Sequence, residues 1–460
     1  MTTASLRPPA LELRDVPASH PWDTIRRASR LISRRVGLVR RVLESCYQAQ
    51  DPAVFTTGLV LSDFTRSMNG GRAISASGAG DTAEAALAAA IGEAVERQCS
   101  STFDRDEMVV GSFEELGDDA ASPDALRLLS REQTERFGPR GPVYFDERSR
   151  IRWVWGYSLT ARRPRLVPAS LVYLNFRALE GEANIGENAS TGLAAGATRE
   201  EAILSGLLET VERDAYMIAW MHRQPGRLID VDDDALQDIL RHSLFAGRPG
   251  VDVKIFDLTT DVPISVVYTI MRRRAEFGPV PCQGLASRLD PRRATRKSLH
   301  EAAQNFPFMR SLMVTEKDWQ PAEDFSNLTT FDYHFLAYLK RPELVPPALA
   351  FFDACQERVA LSALPNRSTG RVLGDIEDCV KSLANAGYET IVVDITTPDI
   401  ADVGLSVVRV LVPGLVPIHG NHLRPFLGVR RLYDVPHRLG WEARGWSPDA
   451  GLNPAPHTFP

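Results

Sequence analysis

Two segments of this chain repeat one spacing of acids and a single arginine. From Gly80 the order is three residues, Glu84, eight residues, Glu93, two residues, then Glu96 and Arg97. From Gly196 the same order gives Glu200, Glu209, Glu212 and Arg213. Residues three and four apart share a helix face, so each segment would present two carboxylates and a guanidinium together. Two such helices facing each other supply up to four carboxylates. Carboxylate, phosphate and water oxygens are what magnesium prefers, so the chemistry indicated is a divalent ion held beside a polyphosphate.

The ordinary reading is a solvated helix face laced with Glu–Arg pairs, each contributing about 0.2–0.5 kcal/mol. Three details weigh against it. The acids have Ala and Ser as neighbours where an exposed face carries long polar residues, and small side chains admit a close ligand. Like-charged Glu at this spacing is unfavourable without a counter-cation. The arrangement also occurs twice. In the second segment Ile203, Leu204, Leu207, Leu208 and Val211 form an apolar stripe opposite Glu201, Ser205, Glu209 and Glu212. In the first, Leu87, Ile91 and Val95 lie opposite Glu93 and Glu96, with Ala85, Ala86 and Ala89 beside the acids.

Competing nucleotide motifs fare worse. Gly78-Ala79-Gly80-Asp81-Thr82-Ala83 fits a dinucleotide fingerprint, but no second strand ends in an acid at the required distance. A P-loop is absent, since the sequence has no Gly-Lys pair. The Cys at 46, 99, 282, 355 and 379 are dispersed and fit reduced thiols in a cytoplasmic protein. A net charge of −6 and pI near 5.9 argue against a nucleic-acid-coating protein. No apolar run is long enough to cross a membrane. His419 and His422 flank Asn421 in a loop after a strand, where catalytic and structural roles both remain open. His300 neighbours Glu301 but faces elsewhere.

The elements that must position these groups follow from periodicity and turn residues. Residues 1–22 read as an arm, and 23–50 as a helix followed by a short strand at 37–43. Strands are expected in FTTGLVLSDF and RAISAS between 52 and 76, then the first repeat helix over 82–99. Residues 101–150 read as peripheral. A hairpin is expected from 151–159 and 165–174, the second repeat helix over 198–222, and strands at 251–258 and 263–273. A third helix, 292–306, is followed by loop at 315–330; LAYLKRPELVPPALAFF shows no clear pattern. DIEDCVKSLANAGYETIVVDIT reads as helix, turn and buried strand, and LSVVRVLVPGLVPI as a central strand. Strands and helices interleave without strict βα alternation. The fold class is therefore mixed α/β or α+β with a large antiparallel component, as one large domain or two interwoven halves.

These residues together resemble the YcaO superfamily. The two repeats and RKSLHEAAQ (296–304) are similar to its three nucleotide-binding motifs. The likeness continues through VVDITTPDI (392–400), VRVLVPGLVPI (408–418) and RRLYDVPHRLGW (430–441) into a Pro-rich end, covering roughly 50–460. The resemblance implies a 1–50 extension before a 51–460 domain that holds ATP and Mg2+ between helices. It assigns metal coordination to Glu93, Glu96, Glu209 and Glu212, and phosphate contact to Arg97 and Arg213, a role suited to a guanidinium fork. Ser77, Glu201, Lys297 and Glu301 join the nucleotide contacts. Lys297 stands where the family often has Arg, Ala79 where Gly-Lys-Gly is common, and Ala194 and Ala197 where some members have Ser and Asn.

Within the superfamily, the azoline-forming cyclodehydratases of thiazole/oxazole-modified peptide biosynthesis also end in closely spaced prolines. Here the end is Pro454-Ala455-Pro456-His457-Thr458-Phe459-Pro460. The resemblance implies that a rigid tail offers the Pro460 carboxylate as a base in the active site; the alternative is a disordered end. It further implies a ribosomally made precursor peptide as substrate, a separate leader-binding partner resembling a ubiquitin-activating enzyme, and a homodimer. Thioamide or amidine formation and a non-catalytic nucleotide-binding scaffold are the competing functions.

Overall fold

Three sheets each carry one acidic helix. The computed structural model describes residues 10–44, 51–62, 75–186, 190–240, 251–275 and 278–459. The first sheet is the antiparallel meander β1 (Val39–Glu44), β2 (Phe55–Leu61) and β3 (Ser75–Gly80). The second runs β4 (Val109–Gly111), β5 (Ile151–Ser158), β13 (Ile391–Asp394), β14 (Ser406–Leu411) and β7 (Leu193–Gly196), with β6 (Arg163–Pro168) also on β5. The third runs β11 (Gly278–Arg288), β10 (Ser265–Ala275), β9 (Val251–Asp257), β8 (Arg227–Asp230) and β12 (Arg358–Ala360). Only β12 and β8 pair in parallel among these strands. The fold is mixed α+β with antiparallel sheets dominant, as expected.

Helix α1 (Pro21–Ala28) packs on α2 (Ala83–Ser100), which lies on the first sheet. Helix α3 (Arg199–His222) lies on β14 and β7, and α4 (Pro291–Thr315) on β10 and β11. The repeated Gly-x-Thr explains how α2 and α3 begin alike. Gly80 and Gly196 end a strand, and Thr82 and Thr198 are N-caps accepting from the amides of Ala85 and Glu201. Glu84 and Glu200 then fall in the first turn, where the helix dipole favours an acid.

Small residues serve a purpose different from the one expected. They let helix backbone lie directly on strand backbone. A Cβ on Gly78 would sit 2.3 Å from the carbonyl oxygen of Ala86, and one on Gly284 would sit 1.9 Å from that of Ser298. Ala86, Ala90 and Ala94 are buried in this α2–sheet contact, together with Ile91 and Val95. Helix α3 is buried around most of its circumference, so its acids lie between layers and not on a solvated face.

Other departures have local causes. Segment 278–288 carries Pro279 and Pro281, which argue against a strand, yet it forms β11 at a sheet edge, where a missing amide donor is tolerated. Helix α4 continues past the expected stop at 306 through Pro307, because Met309 and Leu312 beyond it are buried. The unpatterned stretch splits into α5 (Phe331–Lys340) and α6 (Val345–Asp353), broken at Arg341-Pro342. Residues 169–172, expected as strand, form one helical turn. Helix α7 (Val372–Asn385) precedes β13, and β14 is central, as expected. Residues 1–9, Cys46 and the strand ends expected within 63–74 lie outside the described residues. Among the described residues no helix is long and apolar enough to cross a membrane.

Candidate functional site

The acids of α2, α3 and α4 converge where the three sheets meet, and each is held by a backbone amide. Glu93 accepts from Ser77 N (2.7 Å) on β3, the edge strand of its own sheet. Glu96 reaches across to Ala195 N in β7 (2.9 Å). Glu209 accepts from Gly192 N (3.2 Å), and Glu212 crosses to Ser287 N in β11 (2.9 Å). Glu301 accepts from Leu285 N in β11 (3.3 Å). Thus α2 and α3 each use one acid to reach the neighbouring sheet, which fixes the stagger of the layers. Gly192 makes this possible with φ +85°, and a Cβ there would meet the Val410 carbonyl at 2.2 Å.

Guanidinium and ammonium groups lie among these carboxylates. Arg97 forks onto Glu93, with Nε 3.0 Å from Oε1. Arg213 stands 3.5 Å from Glu209 and 3.6 Å from Glu212, and Lys297 3.1 Å from Glu301. Ser77 also receives the Gln304 amide on its hydroxyl (3.1 Å), joining the first motif to the third.

The remaining candidates fall at the margins. Glu201 lies eight residues before Glu209, about 12 Å along the helix. Its carboxylate completes the α3 capping box with Thr198 and accepts from Ser19 N of the arm (2.5 Å). The arm is therefore docked there, with Arg14 N on Glu200 (2.9 Å). His300 faces Asp81 in the β3–α2 turn (2.9 Å), away from the carboxylates.

Sequence reasoning missed two arginines. Arg409, on central strand β14, is fully buried; burial lowers its pKa to about 9, with the Glu209 charge opposing. Arg288, at the end of β11, is likewise depressed by burial and opposed by Glu212 and Glu301. A lone Arg in the apolar run VVRVL was the available signal for the first, because a buried charge needs a partner.

Burial disfavours charge of either sign here. Burial pushes the Glu96 carboxyl up to about 8; the Ala195 amide opposes this, and the Glu209 and Glu93 charges add to it. Burial also raises Glu212, against Arg213 and Lys297. Among the described residues no three acidic or His groups close on one point to form a protein-only metal cage. With one oxygen of each acid on an amide, a magnesium ion here would need phosphate and water oxygens to complete its shell. Arg213 Nη1 and Ser287 Oγ are buried without hydrogen-bond partners among the described residues. Orphaned donors beside crowded carboxylates fit a polyphosphate with a divalent ion.

The pH dependence follows from Glu96. Its folded-state pKa lies above the ordinary 4.5, so its contribution to stability is full below about 4.5 and lost as pH rises through about 8. The Glu96→Gln variant, which cannot ionise, should show a flatter fall in melting temperature between about pH 5 and 9 than wild type. Parallel melting curves for the two nucleotide-free proteins would contradict the assignment.

The Pro-rich end is packed into the core along α3. Asn453 N donates to Met221 O (2.7 Å), Trp220 Nε1 to Ala455 O (3.2 Å) and Tyr338 OH to Pro456 O (2.5 Å). His457 Nε2 donates to His419 O (2.7 Å), and Thr458 Oγ1 to Gln283 (2.5 Å). The Phe459 ring then lies under the Arg213 guanidinium, 4.5 Å from its centre. The expected alternative of a disordered tail is overturned for residues 453–459; Pro460 lies outside the described residues. Beside Arg97, a cavity of about 480 Å3 is lined by Tyr173, Phe176, Phe331, His419 and Arg424. His419 thus reaches the cavity wall, held neutral by burial and by neighbouring His457 and His422, while burial alone depresses His422.

A family model for YcaO cyclodehydratases, ATP- and Mg2+-binding, matches residues 77–416. The chain belongs to the YcaO family. An uncharacterised protein of Methanothermobacter thermautotrophicus is 30% identical over 345 residues, 74% of this chain and 80% of the relative. A heterocyclase solved in complex with substrate and cofactor superposes with a TM-score of 0.78 at 28% identity, over 99% of this chain and 60% of that one. This YcaO chain therefore spans about three fifths of that heterocyclase's length. YcaO from Methanopyrus kandleri, solved with AMPPCP and Mg2+, shares the fold at TM-score 0.63 and 24% identity, over 87% of this chain and 92% of that one.

Proposed function

We propose that this YcaO protein is an ATP- and Mg2+-dependent cyclodehydratase that forms thiazoline or oxazoline rings in a ribosomally made peptide. The observation carrying the reading is the tail, whose Phe459 ring lies under the guanidinium of Arg213, itself beside Glu209 and Glu212. The likeness to a heterocyclase at 28% identity supports it.

In this proposal Glu93, Glu96, Glu209 and Glu212 hold Mg2+ jointly with the phosphates of ATP. Arg97, Arg213, Lys297 and Glu301 line the phosphate path with Ser77, and Glu201 marks the far end of the nucleotide site. A Cys, Ser or Thr side chain of the peptide attacks the preceding amide carbon, forming the ring's new bond. The carbonyl oxygen takes the γ-phosphoryl group of ATP, leaving ADP. The phosphorylated oxygen then departs as phosphate while the amide nitrogen gives up its proton, and the C=N bond closes the azoline. Amide oxygen is a poor leaving group, which is why the phosphoryl group is needed. Arg97 and Arg213 would neutralise the developing phosphate charge, and Mg2+ held by the four acids would supply Lewis-acid stabilisation of it. The Pro460 carboxylate is the proposed base for the two protons.

The cavity beside Arg97 would take the peptide, with residues 51–460 as the catalytic unit and 1–50 as an extension. A separate leader-binding partner, homodimerisation and a cytoplasmic location belong to the same proposal.

Mass spectrometry of a Cys/Ser/Thr-rich peptide incubated with protein, partner and Mg-ATP tests the reading. Loss of one water per ring is expected. Exchange of oxygen for sulfur would assign thioamide formation instead, loss of water with an internal amine joined would assign amidine formation, and no mass change without phosphate release would leave a scaffold.

A further inference from the structure

Away from the acids, five arginines fall within twelve residues: Arg30, Arg34, Arg35, Arg40 and Arg41. All are exposed, and none of their side chains has a hydrogen bond or ion pair among the described residues. This local excess of positive charge opposes the net −6 of the whole chain. Arg34 sits on the tight turn closed by Gly37 N to Ser33 O (3.2 Å), and Arg40 and Arg41 sit on β1. Consecutive residues on a regular strand point to opposite faces. Yet Arg34, Arg40 and Arg41 line one hollow of about 230 Å3. The register shift between Val39 and Arg41 accounts for this, because a bulge re-aims the side chain it carries.

Strand β1 is also an edge. It pairs with β2 on one side, and on the other it has only the single bridge of Val39 to Ile32 among the described residues. Beyond that bridge the strand is exposed on both faces, with Val42 and Leu43 in the open and Val36 91% exposed on the adjoining turn. Charges on an edge strand ordinarily serve to prevent sticking. Three guanidinium groups gathered on one hollow repel each other without an anion.

We propose that the β1 edge and the Arg34/Arg40/Arg41 hollow bind an acidic, extended peptide segment that adds as a strand. Backbone pairing sets its register. A carboxylate enters the hollow, where a guanidinium fork matches it. Val42, on the face opposite Arg41, receives the alternating aliphatic side chains. Strand β1 has no aromatic side chain on which bases could stack, so RNA is the poorer fit. This surface is distinct from the acids and the tail, and its test needs no catalysis.

The experiment is fluorescence anisotropy of the full chain with an end-blocked, fluorescein-labelled dodecapeptide alternating Glu and Val. Binding is expected, weakened by added salt, and weakened about tenfold or more in an Arg34→Glu/Arg40→Glu/Arg41→Glu variant whose melting temperature is unchanged. Two arms need no protein variant: a Lys-for-Glu peptide and one N-methylated at alternate amides should each bind about tenfold more weakly. Equal binding of either peptide would overturn the proposal, as would tighter binding of a uridine dodecamer. A wild-type dimer that the triple substitution converts to monomer would also overturn it, assigning the face to a second copy.

Discussion

In the Glu212→Gln protein, ATP turnover is expected to fall by about 100-fold or more while the nucleotide-free protein melts as wild type does. The two halves of this result have one cause. Glu212 is 2% exposed, accepts the Ser287 amide and is flanked by Arg213 and Lys297. Burial raises its pKa, so near neutral pH the empty protein resembles the neutral amide variant. Gln keeps the shape and an oxygen for Ser287. It removes only the negative charge that Mg2+ would draw out. The rise in melting temperature on adding Mg-ATP should therefore shrink in the variant, since a ligand stabilises by mass action in proportion to its affinity. Wild-type turnover, or an undiminished thermal shift, would remove Glu212 from the metal site.

Deleting Phe459 and Pro460 is expected to slow ring formation by about 100-fold, the scale of a lost general base, with ATP affinity changed less than about threefold. The anchors at Pro456, His457 and Thr458 remain after this deletion, so the tail's path along α3 persists. What disappears is the ring under Arg213 and the proposed Pro460 base. The Phe459→Ala variant separates the two, because it keeps Pro460 and loses the stacking worth about 0.5–2 kcal/mol. Single-turnover kinetics on peptide, with ATP binding measured by calorimetry, reads both quantities. An unchanged rate after deletion would return the tail to a purely structural role.

How much of this was legible depends on whether the cause was local. The repeated acids were visible because helical spacing is written in sequence, whereas strand β7 before the second helix has only four residues, too few to show a period. The role of the small residues was not visible. Ala86 was open to reading as room for a ligand, whereas with Gly78 it lets α2 settle on β3, a contact known only once the strand is placed. Strand β11 was hidden by Pro279 and Pro281, whose tolerance depends on its edge position. Arg409 carried a signal, an unexplained charge in a buried strand, but its partner Glu209 is 200 residues away in the chain. The depth of the tail was beyond local reading altogether, because Trp220, Tyr338, His419 and Gln283 that hold it come from separate elements.

The repeated helices are proposed to form one ATP–magnesium site serving dehydration of a peptide amide. Counting phosphate released against water lost from the peptide, in one reaction with Mg-ATP, tests it most directly. One phosphate per ring, with both products formed about 100-fold or more slowly in Glu212→Gln, is the predicted result. Phosphate release without loss of water from the peptide, or loss of water without ATP, would contradict it.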